Sequence, residues 1–194
     1  MENIQMTLST MARSLTGAIA LTALAGCELA SPQLGTVNLY LTDAPAAEIA
    51  SARVWISHAY LVKAGEGDGE PFVTITDVQQ DYDLLTLQNG VTALLGTETV
   101  PAGEYAQLRL VVDSARITLG GGATFADGSD TRTLFVPSGM QTGIKVTFAG
   151  PITIAAGDND VVVDFPVDQN FVFQGPPTSP LGVLFTPTLL GTAQ

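Results

Sequence analysis

Short runs that alternate apolar and polar residues recur from Gly35 onward, and this alternation most narrows what the chain can fold into. A strand sends successive side chains to opposite faces, whereas a helix needs apolar residues three and four apart. In Thr36 to Leu41, Val37, Leu39 and Leu41 share a face. In 105–112, Ala106, Leu108, Leu110 and Val112 are expected inward, with Gln107 and Arg109 outward. In Arg53 to Val62, Val54, Ile56, Tyr60 and Val62 take one face and Trp55, Ala59 and Leu61 the other, which suggests a strand covered on both sides. Further strands are expected at 72–76, 115–119, 131–136, 143–148, 152–155, 160–165, 171–174 and 183–187, with a short helix or helical turn at Val91 to Leu95. Gly-, Asn- and Asp-rich turns at 65–69, 120–122, 126–130 and 157–159 separate them. Regular short strands of this kind predict an all-β chain, an antiparallel β-sandwich of immunoglobulin-like or prealbumin-like type. At Pro101 to Tyr105 a tight turn opens a strand, so Tyr105 is expected to be structural, with its ring at the core edge and its hydroxyl on backbone across the corner.

The first residues carry different chemistry. Ser14 to Ala25 is uncharged and apolar or small. It is too short to cross a hydrocarbon core of about 30 Å as a helix, and it reads as the apolar part of a secretory signal. Leu24, Ala25, Gly26 and Cys27 then fit a lipoprotein processing site, in which the thiol accepts the lipid after small residues have fitted the peptidase. Cys27 is the one cysteine of the chain, so a disulfide does not explain it. Met11 with Arg13 makes a better signal start than Met1 with Glu2. The expected organisation is a signal peptide over 1–26, a lipidated (palmitate-bearing) tether over 27–34 and a single sandwich domain over 35–190. Glu28 rather than Asp follows the cysteine, which favours the outer over the inner membrane. The 168 residues from Cys27 suffice for one core. The net charge is −12, a field that repels phosphate polymers and argues against nucleic acid as a partner.

Several phrases occur in a familiar order: LTDAP at 41–45, YDLLTLQNG at 82–90, VPAGEYAQLRL at 100–110, VPSGMQTGIKV at 136–146 and VVVDF at 161–165. Together they resemble the bacterial domain-of-unknown-function family 4382, over about Gly35 to Leu189. The resemblance implies an exported, often lipid-anchored, β-rich protein, and it brings no activity with it. Read from the residues, Asp43 is a structural acceptor for backbone at the end of its strand, with Pro45 stopping the ladder. Loops carrying these phrases would form a binding rim if they lay at one end.

Catalytic chemistry is thinly represented. His58 is the one histidine and is expected to be a packed or edge residue in a strand, and there is no GxSxG or HExxH motif. Acid pairs for glycoside hydrolysis would come from Asp77, Asp81 and Asp83 or from Asp158, Asp160, Asp164 and Asp168. Asp158 and Asp160, in the loop 157–160, are the candidate ligands for calcium as a cofactor, although the EF-hand spacing is absent. Trp55, Tyr40, Tyr60 and Tyr82 are candidate sugar platforms, with a core role the plainer expectation. The resulting expectation is no enzyme but a binding or adhesion module, anchored by lipid in the cell envelope, for an envelope or extracellular protein or glycan. A purely structural lipoprotein and a carboxylate-dependent glycoside hydrolase are the alternatives.

Overall fold

A computed structural model describes residues 31–43, 48–65, 72–136, 142–176 and 182–194. Cys27, Pro45, most of the 65–69 turn and the Pro137–Ser138–Gly139 loop lie outside the described residues. Residues Pro32–Gln194 form one compact unit, which holds all the strands below.

The strands are β1 (Leu34–Thr42), β2 (Ile49–Lys63), β3 (Phe72–Thr76), β4 (Gln80–Asp83), β5 (Ala93–Pro101), β6 (Gly103–Leu119), β7 (Thr131–Leu134), β8 (Ile144–Phe148), β9 (Ile152–Ile154), β10 (Gly157–Asp164), β11 (Phe171–Phe173), β12 (Val183–Phe185) and β13 (Leu189–Ala193). A 3-10 turn spans Leu84–Leu87, and a one-turn helix, α1, spans Val167–Asn170. Eleven strands form one sheet in the order β3-β2-β6-β8-β13-β10-β1-β5, with β4 on β2 and β7 and β9 on β6. β11 and β12 make a separate antiparallel pair.

The all-β expectation holds, and the sheet is mixed and nearly closed like a barrel. It departs from the expected antiparallel sandwich in two respects. β1 runs parallel to β10, and β8 runs parallel to β13. The strands also belong to one sheet whose end strands approach each other, where Gly96 of β5 lies against Thr76 and Ile75 of β3. Parallel neighbours need long crossovers: β2 to β9 lie in the chain between β1 and β10, and β9 to β12 lie between β8 and β13. Leu39, Leu41, Val54, Ile56, Leu108, Leu110, Val161, Val163 and Phe165 fill the interior and are at most 1 % exposed.

β2 and β6 form the longest ladder, and paired irregularities set its phase. The register skips Asp113 between Trp55 and Ile56, and skips Ser57 between Ile56 and His58. One extra residue reverses which side chains face inward. Val54 and Ile56 are therefore buried before the bulge, and Ala59 and Leu61 after it. This corrects the sequence reading of Tyr60 on the face of Val54: Tyr60 is half-buried, and His58 is exposed. The expected helical turn at Val91 to Leu95 is also corrected. Ala93 there begins β5, paired with Leu41 of β1, and the one turn of 3-10 helix lies earlier, at Leu84–Leu87.

Two ends of the barrel follow from the register. At the end where β1 begins, Gly35 sits opposite Val100 and Gly157, and the Ala102 N–H donates to the Gln33 carbonyl at 2.7 Å. At this corner Tyr105 is fully buried and its hydroxyl donates to the Pro101 carbonyl at 2.7 Å; burial raises its pKa. The end where β1 finishes, at Thr42 and Asp43, carries the 3-10 turn, α1 and the β10–β13 excursion.

Candidate functional site

Three of the sequence phrases meet at the end of β1. The Asp43 N–H donates to the Leu87 carbonyl at 3.2 Å, and Thr42 Oγ1 lies 3.1 Å from the carbonyls of both Leu87 and Val91, sharing its proton between them. LTDAP is thereby tied to YDLLTLQNG. The Phe165 N–H donates to the Thr42 carbonyl at 2.9 Å, and Asp43 Oδ1 accepts from the Val167 N–H at 2.9 Å. VVVDF and α1 are joined to the same point. Asp43, 6 % exposed, thus satisfies an amide in the first turn of α1, one that no residue within that turn serves. Within YDLLTLQNG, Asp83 accepts from the Ser51 hydroxyl at 2.8 Å and from the amides of Ala52 and Leu85 at 3.3 Å. That carboxylate fastens the 3-10 turn to β2.

Sequence reading missed Asn170, the fully buried post behind this end. Its Nδ2 donates to the Pro166 carbonyl at 2.7 Å and the Thr188 carbonyl at 3.2 Å, its Oδ1 accepts from the Thr188 amide, and its own carbonyl accepts from the Thr186 amide at 2.9 Å. An asparagine set between the apolar residues Val167 and Phe171 was the available signal. The outer surface of β1, β10 and β13 at this end forms a cleft of about 370 Å³ lined by Thr42, Asp43, Val162, Asp164, Leu190 and Thr192. Desolvation and then repulsion from Asp168 hold the Asp164 carboxyl above its ordinary pKa.

Of the proposed acids, Asp168 comes near enough to Asp164 to help raise its pKa. Asp81 is ion-paired with Arg53 at 2.7 Å, and Asp83 holds backbone as above. Asp158 and Asp164 stand six residues apart along β10, about 20 Å at strand rise. Asp158 and Asp160 share the outer face, where Asp160 accepts from Asn38 at 3.1 Å. Between them, buried Asn159 donates to the carbonyls of Thr36, Ala155 and Gly157 and accepts from the Ala155 amide. The oxygens that a calcium loop would offer from its backbone are taken by an amide here. Among the described residues no group of three or more His, Cys, Asp or Glu is placed to hold a metal ion.

At the β2–β6 bulge, His58 Nδ1 lies 3.0 Å from Ser57 Oγ, while Ser57 Oγ donates to Asp113 Oδ1 at 2.9 Å and Gln79 Nε2 donates to Asp113 Oδ2. The serine stands between acid and imidazole. In a hydrolytic relay the imidazole stands in the middle and takes the serine proton; here that proton already goes to the carboxylate. Trp55, Tyr40, Tyr60 and Tyr82 are all half-buried rather than core, with Arg116 lying 5.2 Å from the Trp55 ring centre and Tyr60 edge-on to Phe72. Burial and then the nearby Asp81 raise the Tyr82 pKa.

The fold and this end define an all-β, mixed, barrel-like domain with sequence phrases gathered at one rim. The model for a domain of unknown function (DUF4382) matches residues 34–178, and the chain belongs to that family. No curated protein and no solved structure matches it. No helix among the described residues is long and apolar enough to cross a membrane.

Proposed function

We propose that this chain is a lipid-anchored protein of the cell envelope, held through Cys27 at the outer membrane, whose barrel is a non-catalytic module binding a protein or glycan partner at the rim around Thr42, Asp43 and Asp164. The observation that supports this best is the polarity of β1. Its start at Leu34 follows Cys27 by seven residues, a reach of about 25 Å at full extension, and its finish carries three converging phrases. A lipid on Cys27 would therefore hold one end of the barrel near the membrane and leave the rim as the end directed away. Rims of rigid β scaffolds are the usual place for recognition.

The test has two parts. Labelled palmitate should be incorporated by the full chain in cells and lost with Cys27→Ser. A photo-crosslinker at Leu190 of the rim should capture a partner that one at Glu104, near the start of β1, does not. Absence of label in the wild type would overturn the anchor. Equal capture from both ends, or turnover of a polysaccharide abolished by changing one carboxylate, would overturn the binding reading.

A further inference from the structure

We infer that the cleft between β1, β10 and β13 receives a basic side chain, lysine or arginine, of a partner polypeptide. This rests on the reading of the rim as a binding surface and narrows its ligand from protein or glycan to protein.

The cleft has two chemically distinct walls. Val162 is half-buried and Leu190 is 44 % exposed, so they offer aliphatic surface on the outer face of the sheet. Asp164 stands directly across the β10–β13 ladder from Leu190, and Thr192 pairs with Val162. One carboxylate therefore faces the same space as two aliphatic side chains, with threonine hydroxyls beside them. An aliphatic stem carrying a cation matches this arrangement: the stem covers Val162 and Leu190 while the head reaches Asp164. A neutral sugar could donate hydroxyl hydrogen bonds to the carboxylate but would bring no positive charge to it, and a bare metal ion would gain nothing from the aliphatic wall.

Asp43, the other carboxylate of the cleft, is committed to the start of α1 through Val167, so Asp164 is the acid available to a ligand. Asp164 is under strain of a kind that a cation relieves, since desolvation and the negative charge of Asp168 both disfavour its ionised form. The long-range field acts in the same direction, because a net charge of −12 attracts a basic partner and raises its encounter rate.

The full chain, labelled with nitrogen-15 and held in mild detergent micelles, tests this by NMR titration with Nα-acetyl-lysine amide and with Nα-acetyl-norleucine amide, which has the stem without the charge. The lysine probe should shift the amides of Val162, Asp164, Leu190 and Thr192 first, and Asp164→Asn should weaken that binding about ten-fold, the scale of one charge-assisted hydrogen bond. Leu190→Arg, which supplies a cation from within, should abolish it; this second variant keeps the question answerable if Asp164→Asn does not fold. The inference is overturned if norleucine amide binds equally, if lysine shifts are scattered over the acidic surface, or if calcium ions alone reproduce the shifts. Capture of a partner from Leu190 without a lysine response sinks this inference alone. Loss of both sinks the rim as a binding surface.

Discussion

Gly191 lies opposite Phe148 across the parallel β8–β13 ladder, and a Cβ built on it would lie 2.3 Å from Phe148 Cζ. The residue is needed for space, since the half-buried ring occupies the volume that any side chain would require. Gly191→Ala should cost about 1–3 kcal/mol by overpacking, read as a lower urea midpoint. Phe148→Leu should recover part of the loss in the double variant, because the two sites share one volume. Asp164 supplies a second prediction at this scale. Its folded pKa is raised, first by desolvation and then by Asp168, so the folded state holds this proton more tightly than the unfolded chain does. The stabilising contribution of that proton is complete below the ordinary carboxylate pKa and is lost as pH rises through the raised folded value. Asp164→Asn should remove this part of the pH dependence and raise neutral-pH stability slightly, as thermal melts across the acidic range would show. Neither feature was legible in the sequence. Gly191 stands in a run with no turn partner, and the pKa of Asp164 depends on Asp168 being folded back beside it.

Elements were legible where alternation ran unbroken. Thr36 to Leu41 and Ile144 to Phe148 keep strict period two and both form strands, the first in the expected phase. β2 did not, because the Ser57 bulge adds a residue that sequence periodicity cannot distinguish from ordinary strand, and Tyr60 after it leaves the interior while Ala59 and Leu61 enter it. β5 was missed because its Gly96-Thr97-Glu98-Thr99 stretch has no apolar face; its polar residues lie on a strand paired by backbone to β1 alone. The candidate rim was half legible: Asp43 was singled out as a structural acceptor, but its partner Val167 is 124 residues away and invisible to local spacing. Asn170 was overlooked for the same reason. It holds α1 to the Thr188 segment through one side chain. Asn170→Ala would strand the Thr188 carbonyl and amide together, orphaned polar groups worth about 1–3 kcal/mol each when buried, while the Pro166 carbonyl keeps the amides of Gln169 and Asn170. The variant should lose more than about 2 kcal/mol of stability. Hydrogen exchange should accelerate first at the Thr186 and Thr188 amides, whereas the β2–β6 ladder should keep its protection at low denaturant.

For the barrel unit as a whole, the sequence could not show closure, because alternating strands suit a sandwich as well as a barrel and only pairing partners distinguish them. Those partners are distant: β1 joins β10 and β5, and β6 takes β7, β8 and β9 in succession along one edge. The two end strands, β3 and β5, touch at Gly96, where an added Cβ would lie 2.9 Å from Thr76 Cβ and 3.1 Å from the Ile75 carbonyl. No ladder joins them among the described residues. The nearly closed barrel is therefore held by side-chain and backbone contact along this line and by hydrogen bonds elsewhere, which makes the β3–β5 seam its weakest circumference. Local opening follows the part with the fewest cooperative bonds. Native-state exchange should show amides of β3 and the outer edge of β5 opening at free energies well below those of the β2–β6 ladder. Gly96→Val should widen that difference by holding the strands apart while leaving the interior at Leu39, Leu110 and Val163 protected. Uniform protection around the whole circumference, unchanged by Gly96→Val, would mean that the seam is bonded as firmly as the rest.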